Sequence, residues 1–192
     1  MAKNKKGFTI IEVVLVLAIA GLIFLMVFIA LPALQRSQRN TRRRQDMARI
    51  LSGFSDFQSN NNGKMPTASN LPDFLTRYAS GDNSAVAAPV TGSTLSVFKL
   101  QKSSSDDSCV DQFCDPDGTS YAISEPKTGW DWTNPSDKSY KKAQSDHIIG
   151  YAPESKCDDS TEGKHIWLTG QKGSISIMYI LEGGAVYCGD NQ

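Results

Sequence analysis

"MAKNKKGFTIIEVVLVLAIAGLIFLMVFIALPAL", residues 1–34, decides how the rest of the chain is read. A basic head with Lys3, Lys5 and Lys6 leads into Gly7 and Phe8, and residues 13–34 are 22 consecutive positions without a charge. As a helix rising about 1.5 Å per residue this run is roughly 33 Å long, close to the ~30 Å hydrocarbon thickness of a bilayer. Glu12 stands at its start. A carboxylate left alone at that depth costs a few kcal/mol, so it calls for a partner and a function. Two plainer readings compete. Thr9-Ile10-Ile11-Glu12 has the Ser/Thr-x-x-Glu form of a helix capping box, which accounts for an acid in the first turn but not for the Gly7-Phe8 junction before it. Ala18-Ile19-Ala20 has the A-x-A form of a signal-peptide cleavage site, but residues 21–25 stay apolar where a secreted chain turns polar.

The run Gly7-Phe8-Thr9-Ile10-Ile11-Glu12 ahead of an unbroken apolar helix resembles the N-terminus of type IV prepilins, the precursors of pilus and pseudopilus subunits. The resemblance implies that a membrane aspartic peptidase cuts between Gly7 and Phe8 and methylates the new amine of Phe8. That amine is largely charged near neutrality, with a reference pKa of about 8. Glu12 is its natural counterion, met when subunits stack their apolar helices, so Glu12 is assigned to assembly. Similar pilins carry a glycine at the position of Gly21 and a proline a little before Pro32, and their helix loosens between the two on polymerisation. Both residues weaken a helix on intrinsic grounds, although kinks of this kind also occur in membrane spans without consequence.

A positive-inside count sets three leader lysines against Arg36, Arg39, Arg42, Arg43 and Arg44, and alone would place the C-terminal body in the cytoplasm. The resemblance implies the opposite orientation, which the cysteines below favour, and that reading is adopted here. At 192 residues the chain holds one membrane helix and one head of ordinary domain size. Its formal net charge is zero but unevenly spread: residues 1–44 carry eight Lys/Arg and only Glu12 as an acid, whereas residues 45–192 carry 12 Lys/Arg against 19 Asp/Glu. The arginines are candidates to face the acidic head of a neighbouring subunit, or simply water.

Met47, Ile50, Leu51, Phe54 and Phe57 recur at helical spacing, with Asp46, Arg49 and Asp56 off the stripe. The spacing predicts one helix from about residue 8 to 59, stopped by Asn60-Asn61-Asn62-Gly63. "NNNGKMP" also resembles the Asn-Gly-x-x-Pro stop of the long helix in pilins. A short helix is expected over 72–79 and irregular chain around it. Strands are expected at 94–101, 119–124, 147–152, 165–169, 174–181 and 185–188, with a hairpin turn at Glu182-Gly183-Gly184. The fold class is therefore α+β: a long N-terminal helix laid against a C-terminal antiparallel sheet whose other face meets solvent. The segments are a cleaved leader 1–7, an apolar helix 8–34, its amphipathic continuation 35–59, and a head 60–192.

Cys109, Cys114, Cys157 and Cys188 all lie in the head without C-x-x-C spacing, which favours two disulfides over a zinc site. Three pairings are open. The short 109–114 loop, and the habit of pilins of tying the C-terminal region to the sheet, favour Cys109 with Cys114 and Cys157 with Cys188. Asp106, Asp107, Asp111, Asp115 and Asp117 crowd one loop. An EF-hand fails there, because Phe113 and Ser124 would fill its first and twelfth positions. Asp115-Pro116-Asp117-Gly118 is in any case a good turn, so no metal is assigned and Asp111, Asp115 and Asp117 remain a calcium candidate.

His147 and His165 are the only histidines, and nucleophile-elbow, zinc-protease, phosphate-loop and haem motifs are absent. No enzyme activity and no cofactor is expected. Trp130, Trp132, Trp167 and Tyr151 suit either an adhesive patch or a core, and the acidic head disfavours nucleic acid. The reading is a pilin of a type IV pilus supporting adhesion, motility or DNA uptake. It is held in the cytoplasmic membrane with its head outside, then extruded into an extracellular helical homopolymer. The resemblance implies as partners the prepilin peptidase, an assembly ATPase and a membrane platform protein. Alternatives are a minor pilin or pseudopilin of a secretion or competence machine, and a monomeric membrane-anchored binding module.

Overall fold

The computed structural model describes residues 7–67, 69–80, 85–90, 97–102, 105–106, 108–110, 113–124, 132, 134–158 and 167–192. The chain divides into two compact units, Met1–Arg39 and Asn40–Gln192. Helix α1 (Ile10–Asn60) supplies all the regular structure of the first and opens the second. Pro32 lies inside it without ending it. The helix stops where the sequence says it must. Asn62 and Gly63 take positive φ values of 55° and 75°, and Gly63 N–H donates to the Gln58 carbonyl at 2.9 Å, closing the last turn as a left-handed cap.

In the second unit the stripe of α1 is buried as its spacing requires: Met47, Ile50, Phe54 and Phe57 are at most 2% exposed. They pack on Leu71, Phe74 and Leu75 and on the inner sheet positions Ile123, Ile149, Tyr151, Ile175, Ile177 and Tyr179. Helix α2 (Leu71–Phe74), with Pro72 in its first turn, continues as a single wide turn through Leu75–Ala79. Phe54 stacks on Phe74 with ring centroids 4.2 Å apart. Gly53 has its own reason: a Cβ there would lie 2.8 Å from the Tyr78 carbonyl oxygen, so glycine lets the two helical segments touch.

Strands β1 (Val86–Pro89), β2 (Phe98–Gln101), β3 (Ala122–Ser124), β4 (Ile148–Pro153), β7 (Ile175–Ile180) and β8 (Val186–Asp190) form one sheet in the order β1-β2-β3-β4-β7-β8. Between β4 and β7 the chain makes a separate pair, β5 (Ser155–Cys157) with β6 (Trp167–Thr169). Neighbours in the large sheet are antiparallel except β3 and β4, which run parallel with Ile123 opposite Ile149. The parallel pair needs a crossover, and helix α3 (Lys138–Ser145) lies within it.

The sheet is mostly antiparallel, as the sequence reads, and its one parallel pair was not legible because α3 shows little pattern: only Tyr140 and Ala143 of its eight residues are apolar. One expectation is corrected: the second face of the sheet is not bare, since Tyr140 and Ala143 pack with Ile148, Met178, Ile180, Val186 and Trp132, and all six residues of β7 are buried. Strands β1 and β5 also lie outside the expected set; β1 sits in the Ala- and Pro-rich stretch that reads as loop. Gly150 in β4 leaves room for the rings of Trp132 and Trp167, one of which a Cβ would meet at 2.9 Å. Those two tryptophans, with buried Tyr151, are therefore packed rather than displayed. Trp130, His165 and the expected strand residues 94–96 and 165–166 lie outside the described residues.

Replacing glycine by alanine inside a helix ordinarily gains about 1 kcal/mol, so Gly53→Ala separates propensity from contact. Overpacking against backbone costs about 1–3 kcal/mol. A fall of a few degrees in the melting temperature of the head is expected for Gly53→Ala, with none for Gly21→Ala, whose Cβ meets nothing within 4 Å. A rise for Gly53→Ala contradicts the contact.

Candidate functional site

The first unit presents a surface with no counterpart among the described residues. Every large apolar side chain from Phe8 to Leu34 is 44–89% exposed, and α1 is long and apolar enough there to cross a membrane. Such a continuous apolar surface requires lipid or other helices around it. At its start the capping box is formed: Thr9 N–H and Thr9 Oγ1 both donate to Glu12 Oε2 at 2.8 Å, and Glu12 N–H approaches Thr9 Oγ1 at 3.4 Å. In the uncut chain one Glu12 oxygen is thus engaged locally. A Cβ at Gly7 would meet none of the described residues within 4 Å, and its φ lies outside the left-handed region that favours glycine. The leader residues 1–6 lie outside the described residues.

The second unit holds a buried polar cluster. Arg43 lies on the same stripe as Met47, Ile50 and Phe54, and so points into the head. Its Nε and Nη2 donate to the two oxygens of Asp115, each at 2.7 Å, with both side chains at most 6% exposed. Asp115 is placed by the Asp115-Pro116-Asp117-Gly118 turn. There its carboxylate accepts from Asp117 N–H, Gly118 N–H donates to its carbonyl, and Gly118 takes a φ of 92°.

Tyr179 from β7 donates its hydroxyl proton to Asp115 Oδ2 at 2.9 Å. The same hydroxyl oxygen is therefore free to accept from His147 Nδ1, 3.0 Å away, while His147 Nε2 faces Asp117 Oδ2 at 3.3 Å. Both ring nitrogens meet acceptors, the arrangement of an imidazolium. On either side along α1, Asn40 bonds both the N–H and the carbonyl of Glu182, and Tyr121 donates to Asp46 at 3.0 Å.

The electrostatics follow. Burial by itself would raise the Asp115 carboxyl, but hydrogen bonds from Arg43, His147 and Asp117 N–H hold it well below the usual carboxylate range. The bond to Asp115 keeps Arg43 charged against the cost of burial and raises His147. Burial pushes Asp46 up, opposed by the Tyr121 hydrogen bond. It also raises Tyr121 and Tyr179, reinforced by the adjacent carboxylates, so both stay protonated.

Cys109 is bonded to Cys114 and Cys157 to Cys188, with Cα atoms 5.5 and 5.8 Å apart. The first bond closes the loop just before Asp115; the second ties β5 to β8. Of the calcium candidates, Asp111 lies outside the described residues, and Asp115, Asp117 and His147 bring donor atoms within 4.8 Å of one another. Both Asp115 oxygens there are already occupied by a guanidinium. Sequence reasoning passed over Arg43, Tyr179, His147 and Asn40 as a group. The available signal was the stripe itself, which extends backwards from Met47 through Arg43.

Residues 2–28 match the family model described as the prokaryotic N-terminal methylation motif, the signature of type IV pilins and prepilins. No curated protein and no solved structure matches the chain.

Asp115→Asn leaves buried Arg43 with only the half-buried carboxylate of Glu182, 3.4 Å from its Nη1, and should cost on the order of 3 kcal/mol, read as a fall in melting temperature at neutral pH. The pH profile has two limbs of opposite sign. The contribution of His147, whose folded pKa is raised, is fully present below about pH 6.5 and is lost as pH rises through the folded value. That of Asp115, whose folded pKa is lowered, is present above about pH 4 and is lost on acidification. His147→Gln should therefore flatten the decline above pH 6.5 and leave a smaller acid limb, because Arg43 and the Asp117 N–H still hold Asp115 down. A variant that keeps the full alkaline decline contradicts the assignment.

Proposed function

We propose that this chain is a structural subunit of a type IV pilus filament, cut between Gly7 and Phe8 by a prepilin peptidase and polymerised through the apolar part of α1. The single observation that carries the reading is the coincidence of the methylation motif at residues 2–28 with an apolar helix surface that stands exposed among the described residues. Before assembly the helix sits in the cytoplasmic membrane with the head outside. In the fibre, copies of the same helix take the place of lipid. Such a subunit needs no catalytic group of its own, and an assembly ATPase and a membrane platform supply the work of extrusion.

In this reading Glu12 pairs with the methylated Phe8 amine of another copy. The capping bonds leave Oε1 of Glu12 for that amine, so the contact does not require Thr9 to let go. A buried opposite-charge contact of this kind sets register more than it adds stability. Gly21 and Pro32 are the positions where the helix yields on packing. The Cys109–Cys114 and Cys157–Cys188 bonds stiffen a head exposed to an oxidising exterior.

Mass spectrometry of protein from sheared cells tests this directly. The expected product begins at N-methylated Phe8, and Glu12→Val is processed but yields no fibres. A chain that still begins at Met1 beside a competent peptidase, or normal fibres from Glu12→Val, contradicts it. We also read Arg43 as the resident cation of the Asp115 loop, so EDTA should leave the melting temperature unchanged. A fall restored by calcium would return Asp115 and Asp117 to the role of ligands.

A further inference from the structure

Five arginines, Arg36, Arg39, Arg42, Arg43 and Arg44, fall within nine residues of α1, and no acid occurs between Glu12 and Asp46. The structure separates them. Arg43 alone is drawn into the head, while Arg36, Arg42 and Arg44 are exposed and Arg39 is half-buried. The run begins two residues after the apolar stretch ends at Leu34. At about 1.5 Å per residue, Arg36 lies roughly 3 Å beyond that end and Arg42 and Arg44 roughly 12 and 15 Å. The headgroup layer on each side of a bilayer is about 5–8 Å deep, and arginine stems bend back along a helix to bring their guanidinium groups to it.

We propose that the exposed arginines of residues 36–44 bind the phosphate groups of anionic lipids in the leaflet facing the head. Guanidinium groups match phosphate oxygens two at a time and give up water more readily than ammonium groups do, and the run contains arginine without a single lysine. Continuity with the apolar stretch selects a lipid surface as the occupant over the acidic head of a neighbouring subunit, because the charges begin in the turn next to the span, at the depth of the headgroups. The proposal rests on the reading that the apolar half of α1 lies in lipid and the head outside. It does not rest on polymerisation, so fibre formation and lipid preference can fail separately.

The test uses the full chain in a non-ionic detergent micelle, with bound lipids counted by native mass spectrometry during titration with phosphatidylglycerol or phosphatidylcholine. Phosphatidylglycerol is expected to bind about tenfold more tightly or better. The Arg36→Gln/Arg42→Gln/Arg44→Gln variant should lose that preference, and the corresponding lysine variant, which keeps the charge but not the bidentate fork, should keep only part of it. Lys138→Gln/Lys141→Gln, which removes exposed charge from α3, should leave it unchanged.

Equal binding of the two lipids overturns the proposal, as does a preference that survives in the glutamine variant or vanishes equally in the α3 variant. Displacement of the lipid by millimolar inorganic phosphate would mark an isolated phosphate site and also overturn it. So would an association of two copies that is insensitive to phosphatidylglycerol and abolished in the glutamine variant, which would assign the arginines to another subunit.

Discussion

The bond between Arg43 and Asp115 is the constraint around which the head is arranged. It joins α1 to the turn that follows the Cys109–Cys114 loop, and through Asp115 it reaches Tyr179 on β7 and His147 at the start of β4. A buried ion pair is weak evidence for stability, because two desolvated charges cost nearly what they return. Its value is selective. With Asn40 on Glu182 and Asp46 on Tyr121, three polar contacts within seven residues of α1 fix both its rotation and its position along the sheet. Apolar packing by Met47, Ile50 and Phe54 would tolerate a sliding helix; these contacts do not.

One helix thus carries two kinds of surface. Past Asn40 its stripe is filled by the sheet and by α2, and its polar groups meet partners of the same chain. From Phe8 to Leu34 apolar side chains stand exposed all round, the pattern of a segment whose neighbours are lipid or other copies. The division is visible in the glycines. Gly53 is dictated by a backbone contact, whereas a Cβ at Gly7 or Gly21 would meet none of the described residues within 4 Å.

Most of α1, its stop and its buried stripe were legible because they depend on local rules: charge-free length, helical spacing, and the Asn-Gly cap. The six expected strands each overlap an observed one, but their ends shift by a few residues, since pairing partners rather than local pattern decide where a strand begins. Three features escaped. The parallel β3–β4 pair depends on where α3 carries the chain, and α3 shows only Tyr140 and Ala143 to announce itself. The burial of both sheet faces was hidden because Ser176 alternates with Ile175 and Ile177 as a solvent-facing residue would, yet it bonds Ser155 inside the protein. The polar cluster unites residues 43, 115, 147 and 179, a conjunction that no local rule can supply.

A double-mutant cycle on Arg43 and Asp115 tests the central claim most directly, with stability of the head measured for Arg43→Met, Asp115→Leu and the two together. If the pair selects the position of α1 and each charge is costly only when orphaned, both single variants are strongly destabilised. The double variant then recovers most of the loss, with a coupling of at least about 2 kcal/mol. Losses that simply add would contradict the account, showing that the two side chains act independently and that the pair does not select the position of α1.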